Sequence, residues 1–199
     1  MTLEELINLL NSPETASLII MISHDPHKIR EYSEYVGTTL YETRRKQGII
    51  TPIVTFIFDE ADEFIPHDVD KRHESYRKSS EIAMTIARRG RKFGLGLGIA
   101  TQRIRYLNTS ILAQPHTYFV SKLPRKTDRE AVAEAFGLGL DMFNQTFKFK
   151  KGDWLLISHD ALGMEAVPIP VHFENANTKV IEFLNNLPEH CCDRTETTD

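Results

Sequence analysis

The stretch Ile53-Val54-Thr55-Phe56-Ile57-Phe58-Asp59-Glu60-Ala61-Asp62 constrains this chain more than any other. Six apolar or β-branched residues run straight into carboxylates, with no turn residue between. Such a run predicts a strand buried on both faces, as in the interior of a parallel sheet. Open α/β sheets gather their ligand chemistry outside the carboxyl ends of the strands, which is where Asp59 and Glu60 stand. The plain alternative is a core strand that ends in a solvated acidic turn.

The flanking sequence repeats the pattern. Thr2 and Glu5 fit a capping box for a helix over 2–11, with Leu3, Leu6, Ile7 and Leu10 on one face. Ser12-Pro13 ends it. Ser17 to Ile22 predicts a second buried strand, which enters Ser23-His24-Asp25. A long helix then runs from Pro26 to Gln47, with Ile29, Tyr32, Tyr35, Val36, Thr39 and Leu40 inward, Gly37 weakening its middle and Gly48 as C-cap. Strand, helix, strand over this length is a right-handed crossover by default. After a loop at 64–70, residues 73–92 predict a helix with Ile82, Ala83, Ile86 and Ala87 apolar and Arg88, Arg89, Arg91 and Lys92 at its end. Part of that basic cluster is explained by the helix dipole. Leu95 to Ala100 predicts a third buried strand, ending in Thr101-Gln102. Its glycines lie inside the strand, where they mark close approach by a neighbour and not a dinucleotide fingerprint. A short helix within 103–113, a strand at 116–120, helices near 126–136 and 139–145, a hairpin of 154–158 with 164–171 and a helix at 177–186 complete the reading. Residues 189–199 read as a polar, disordered tail.

At 199 residues the chain is one ordinary domain. No stretch approaches the ~18 apolar residues of a membrane span. The only cysteines, Cys191 and Cys192, are adjacent and cannot staple a core, so a reducing, cytosolic setting is expected. The net charge of −4 is unevenly spread: residues 1–70 carry 13 acids and 5 bases, whereas residues 71–92 carry 8 bases and 2 acids. A basic stripe can track phosphates, and it can equally be a solvated helix face. His24-Asp25-Pro26-His27 offers two histidines around an acid, but at a strand-to-helix turn this pattern is too common to argue for a metal.

Two further landmarks accompany the acidic strand end: Ala87-Arg88-Arg89-Gly90-Arg91-Lys92-Phe93-Gly94, and Thr101-Gln102-Arg103 closing the next strand. Apolar strand, Asp, Glu resembles the Walker B element of P-loop ATPases. With the other two, and with Asn108, Ile111, Leu112, Gln114 and the region of Asp128, residues 17–135 resemble the HerA/FtsK-type branch of RecA-like ATPases. The resemblance implies an α/β fold, a partial RecA-like three-layer sandwich with a mainly parallel sheet and a C-terminal antiparallel hairpin, over 1–187, with 188–199 as the tail. It implies ATP and Mg2+ as cofactors, with Asp59 holding Mg2+ through water and Glu60 polarising the attacking water. It also implies Gln102 sensing the γ-phosphate, and Arg91, or less directly Arg88, reaching a neighbouring subunit's ATP. Such roles suit phosphoryl transfer, which needs charge on the γ-phosphate oxygens and an oriented water. The implied partners are DNA, other copies in a ring such as a hexamer, and a nuclease; no membrane is implied. Lys71, Arg72, Arg77 and Lys78 are the candidate DNA contacts.

One departure stands out. A P-loop reads Gly-x-x-x-x-Gly-Lys-[Ser/Thr], and neither Gly-Lys-Ser nor Gly-Lys-Thr occurs in these 199 residues. In the family that loop precedes the Walker B by a long interval. The expectation is therefore a C-terminal piece of a longer ATPase or a separate subunit, able on its own to bind ATP only poorly. Three other readings stay open. Asp59-Glu60-Ala61-Asp62 spells the signature of DEAD-box RNA helicases, although Arg-Lys-Phe-Gly has no place in their pattern. A non-catalytic assembly or DNA-contacting subunit would keep Asp59-Glu60 as a vestige. A plain α/β domain would carry both charge clusters as surface decoration.

Overall fold

The structure, a computed structural model, describes residues 2–13, 18–158 and 168–186. The chain divides into two units, Met1–His116 with Arg125–Phe143, and Thr117–Pro124 with Asn144–Asp199. The first is built on a parallel pair of strands, β1 (Val54–Phe58) and β2 (Leu95–Ile99). Three helices accompany them: α1 (Leu3–Asn11), α2 (Pro26–Gln47) and α3 (Glu74–Arg89). The expected capping box closes α1, with the Thr2 amide donating to Glu5 Oε2 at 2.8 Å and the Glu5 amide to Thr2 Oγ1 at 3.2 Å. Asp25 caps α2, Pro26 opens it and Gly48 ends it in the left-handed region.

Register explains which face of the sheet is covered. Val54 pairs with Leu95, Phe56 with Leu97 and Phe58 with Ile99, so these six side chains share one face. They pack against Leu6, Ile7, Val36, Leu40, Tyr41, Ile82 and Ile86, and further along against Ile65, Ala83, Leu107 and Ile111. Each fully buried aliphatic side chain contributes ~1.5–3 kcal/mol. Gly37 has a use that its helix propensity hides: a Cβ there would lie 2.7 Å from Ile82 Cγ1, so its absence lets α2 lie close on α3.

Three expectations are corrected. β1 is not buried on both faces, because Ile53 and Ile57 are 77% and 72% exposed on the side away from the helices. Residues 18–22 form no strand: Ile19 packs on the core, but Leu18, Ile20 and Ile22 face outward and the segment has no ladder partner among the described residues. Tyr32 and Tyr35 are exposed on α2, while Arg30 and Arg44 take buried positions on the same helix. The neighbours of the β2 glycines are β1's own side chains: an added Cβ would meet Thr55 Oγ1 at 3.0 Å from Gly96 and Ile57 Cγ1 at 3.4 Å from Gly98.

Among the described residues Arg44 has no carboxylate partner. Its guanidinium donates to Asn11 Oδ1 and to the carbonyls of Leu10, Pro52, Phe93 and Gly94 at 2.7–3.3 Å, joining the end of α1 to the turns that enter β1 and β2. Burial lowers its pKa from the ordinary arginine value. Gly94 is required beside it, since its φ is +63° and a Cβ would fall 1.7 Å from the Ile50 carbonyl oxygen.

After β2, the first unit continues through α4 (Thr109–Leu112) and α5 (Lys126–Phe136). The second unit is an antiparallel sheet of β3 (Thr117–Val120), β4 (Asp153–Ser158) and β5 (Ile169–His172), in that order, followed by α6 (Ala176–Asn185). The strand at 117–120 thus joins the C-terminal hairpin. The first part of the hairpin's expected second strand, 164–167, and the expected tail lie outside the described residues.

Candidate functional site

The parallel pairing carries on past the ends of both strands. The Ala100 amide donates to the Phe58 carbonyl and the Ala61 amide to the Ala100 carbonyl, each at 2.9 Å. Two chain ends are therefore stapled side by side, with Asp59-Glu60 on one and Thr101-Gln102 on the other. To make the second bond the backbone reverses at Glu60, whose φ of 48° and ψ of 49° put it in the left-handed region. It is the one non-glycine residue at positive φ among the described residues. A residue with a Cβ holds that conformation at a cost of roughly 1–2 kcal/mol, and such strain clusters at functional sites. The Glu60 amide also donates to Asp59 Oδ1 at 3.0 Å, which fixes the first carboxylate against the turn.

Beneath this turn lies Asp62, only 3% exposed. The Thr101 hydroxyl donates to Asp62 Oδ1 at 2.8 Å and accepts from the Arg103 amide at 3.0 Å. The Arg103 guanidinium stands 3.4 Å from both Asp62 Oδ2 and Glu63 Oε1, with its plane over Tyr106. Glu60, Asp62, Glu63, Gln102 and Arg103 together line a small cleft of about 120 Å³. Its upper rim carries the exposed Glu60 and Gln102.

The other predicted residues lie elsewhere. Arg88 and Arg91 stand at the end of α3 and just before β2, both exposed and without an ion pair among the described residues. Gln102 follows β2 and Arg91 precedes it, so a five-residue strand separates them, roughly 17 Å at the rise of a parallel strand. Of the candidate DNA contacts, Lys71 is exposed and without an ion pair among the described residues. Arg72 donates to Asp68 at 2.8 Å, Arg77 bonds both Glu74 and Glu81, and Lys78 lies 3.9 Å from Glu74. Exposed pairs of this kind hold by ~0–1 kcal/mol and exchange readily for phosphate. No group of three or more metal-ligating side chains occurs among the described residues. Asp25 spends its carboxylate on the α2 amides and His27 turns Nδ1 to Ser75, so the His-Asp-Pro-His turn is a helix cap.

No family model matches the sequence. Among characterised proteins, the chain is 31% identical over 110 residues to the probable DNA double-strand break repair helicase HerA of Methanocaldococcus jannaschii, covering 55% of this chain and 21% of that protein. It is 29% identical over 128 residues to the DNA double-strand break repair helicase HerA of Pyrococcus furiosus, again 21% of that protein and 64% of this chain. The genome packaging NTPase B204 of Sulfolobus turreted icosahedral virus 2, solved with ATP-gammaS, superposes with a TM-score of 0.57 at 11% identity, over 88% of this chain and 72% of that one. The chain is thus similar in sequence to part of the HerA helicases, and its fold is like that of the packaging NTPase.

The chain spans about a fifth of the length of the two HerA proteins it matches. Within the HerA-like portion, Asp62 and Thr101 form the contact that sequence reasoning missed. The signal was present in two places, in the acid three residues after Asp59 and in the threonine before Gln102, but nothing in either stretch tells which residue turns inward. The chemistry of the donor set is compatible with Mg2+ only in part. Magnesium is usually bound by one or two carboxylates together with substrate phosphates, and Asp59 and Glu60 supply the carboxylates alone.

Proposed function

We propose that this chain supplies the Walker B and sensor half of a ring-forming ATPase that translocates or unwinds DNA in the cytoplasm. The observation that supports it most is the stapling of Asp59-Glu60 beside Gln102 at one edge of the parallel sheet. Asp59 is the residue to hold Mg2+ through water, and the ion would supply positive charge for the β- and γ-phosphates. Glu60 orients and polarises the attacking water, and Gln102 reports the state of the γ-phosphate from the adjacent strand end. These are the parts that phosphoryl transfer asks of a protein besides a phosphate cradle. The cradle itself, with its P-loop lysine, comes from another stretch of polypeptide.

Arg91, with Arg88 as the second candidate, acts in trans. It stands too far from Gln102 to share a phosphate within one subunit, and it has no ion pair among the described residues. A finger in trans calls for a closed ring of like subunits, a hexamer by analogy with the family, around DNA contacted through Lys71, Arg72, Arg77 and Lys78 and served by a nuclease. The decisive experiment is Glu60→Gln in this chain joined to its P-loop-bearing polypeptide. Loss of a positioned general base lowers kcat by ~10²–10⁴. A variant that turns over ATP at the wild-type rate refutes the assignment and leaves the non-catalytic subunit as the reading.

A further inference from the structure

We infer that Asp62 and Thr101 are positioning residues that set the placement of Gln102 relative to Glu60. The inference rests on the reading of Glu60 and Gln102 given above, but its physical content stands on the contacts alone. Gln102 is exposed and has no hydrogen bond of its own to any described residue. What fixes it is its two neighbours. On one side the Thr101 hydroxyl donates to the buried Asp62 carboxylate at 2.8 Å. On the other the Arg103 amide donates back to the same hydroxyl at 3.0 Å, and the Arg103 side chain reaches Asp62 and Glu63 at 3.4 Å. One hydroxyl thus closes a two-residue turn around Gln102, and one carboxylate ties that turn to the segment that carries Glu60.

The arrangement does more than fill space. A carboxylate that is 3% exposed is expensive to bury unless it is well bonded, and the Thr101 hydroxyl and the Arg103 guanidinium are the partners that offset that cost. Asp62 spends its burial on the one hydroxyl that orients the sensor. Backbone bonds already join the strand ends at Phe58, Ala61 and Ala100, so the side-chain link is not needed to hold β1 on β2. Its effect falls on the two residues beyond, Gln102 and Arg103. Glutamine has three side-chain torsions, and a fixed backbone keeps the φ and ψ freedom of the chain from being added to them in its search for a phosphate oxygen.

Three variants of the full 199-residue chain test this: Thr101→Val, which keeps shape and loses the hydroxyl, Thr101→Ser, which keeps the hydroxyl, and Asp62→Ala. Backbone ¹⁵N order parameters are read at Gln102 and Arg103, with the amides of β1 and β2 as reference. Wild type and Thr101→Ser are expected near 0.85 throughout, a rigid backbone, whereas Thr101→Val and Asp62→Ala fall below ~0.6 at Gln102 and Arg103 alone. Unchanged order at these two positions in both variants overturns the inference. So does a loss of order spread evenly over β1 and β2, which marks a merely structural link. In the ATPase joined to its P-loop polypeptide, Thr101→Val lowers kcat by about tenfold or more with KM held, and Thr101→Ser restores it, the signature of an interaction used only in the transition state. Lost order at Gln102 with no ATP turnover in the wild type sinks the proposed function and leaves the positioning role supported.

Discussion

Glu60→Gly and Glu60→Gln together separate what Glu60 does for the fold from what it does for the site. In the left-handed region, at φ 48° and ψ 49°, a side chain costs roughly 1–2 kcal/mol, and glycine removes that cost. Against this, glycine loses about 0.5–1 kcal/mol of extra backbone entropy on folding. The difference favours Glu60→Gly by ~0.5–1 kcal/mol. For a chain of this length ~1 kcal/mol moves Tm by ~2–4 °C. Both variants also remove one charge from a site that holds Asp59, Asp62 and Glu63, and that relief is common to the two. Only Glu60→Gly relieves the backbone. Thermal unfolding by circular dichroism is thus expected to rank Glu60→Gly above Glu60→Gln in Tm, with both lacking ATP turnover in the joined ATPase. Keeping a strained residue where a relaxed one would be more stable is the usual mark of a functional position. If Glu60→Gly melts no higher than Glu60→Gln, the strain argument fails, and with it one reason to single out this residue.

Three further outcomes follow from the same geometry. Arg44→Met is expected to destabilise by ~2–4 kcal/mol in urea denaturation, because several buried carbonyls each lose a partner at ~1–3 kcal/mol, only partly offset by methionine's apolar burial; a loss under ~1 kcal/mol would show that water replaces the guanidinium. Asp25 is held below the ordinary carboxylate pKa of 3.8, chiefly by the hydrogen bond from the His27 amide, although burial opposes it. Its lowered folded value means that its contribution is complete above the ordinary value and lost as pH falls through the depressed one. The stability gap between wild type and Asp25→Ala should accordingly be widest near neutrality and close on acidification; a gap that does not vary with pH contradicts the cap. Finally, a ring whose arginine acts in trans predicts that Arg91→Ala and Glu60→Gln subunits, each inactive alone, recover part of the turnover when mixed, since some interfaces then hold both intact residues. No recovery at any mixing ratio would refute the action of Arg91 in trans.

Local signals in this sequence were legible where chain chemistry decides the outcome. Pro26 and Gly48 bound α2 at the residues expected, and Thr2 and Glu5 cap α1. The acidic and Gln-bearing strand ends do meet, because parallel pairing of β1 with β2 carries their C-termini to one edge. What failed were the inferences about strand partners and covered faces for two apolar runs, Val54 to Phe58 and Leu18 to Ile22. Val54 to Phe58 reads the same whether one face is covered or two, since β-branched residues suit both. Leu18 to Ile22 reads as a strand, but a strand exists only through a partner's backbone, and no partner pairs with it among the described residues. Arg30 and Arg44 were hidden for a related reason. An arginine on a helix looks solvated until the carbonyls that surround it in space are known, and those come from residues 8–50 positions away along the chain.

On electrostatic grounds the acidic edge is expected to hold a nucleotide poorly by itself. Glu60, Asp62 and Glu63 line one cleft, with Asp59 next to Glu60 in the chain, and Arg103 is the single base among the lining residues, already shared between Asp62 and Glu63. ATP would bring further negative charge to carboxylates that it can approach only with a divalent ion between. In P-loop ATPases the compensating charge comes from the loop's lysine and its inward-pointing amides, and this sequence has no Gly-Lys-Ser or Gly-Lys-Thr to provide them. The 199-residue chain is therefore expected to bind MgATP with Kd no tighter than about 1 mM, or ~4 kcal/mol, by calorimetry. The affinity should rise by orders of magnitude when the P-loop polypeptide is joined. Micromolar affinity in the chain alone would mean that another set of donors grips the phosphates. Since the acidic edge has none to offer, that result would move the nucleotide away from Asp59 and Glu60 altogether.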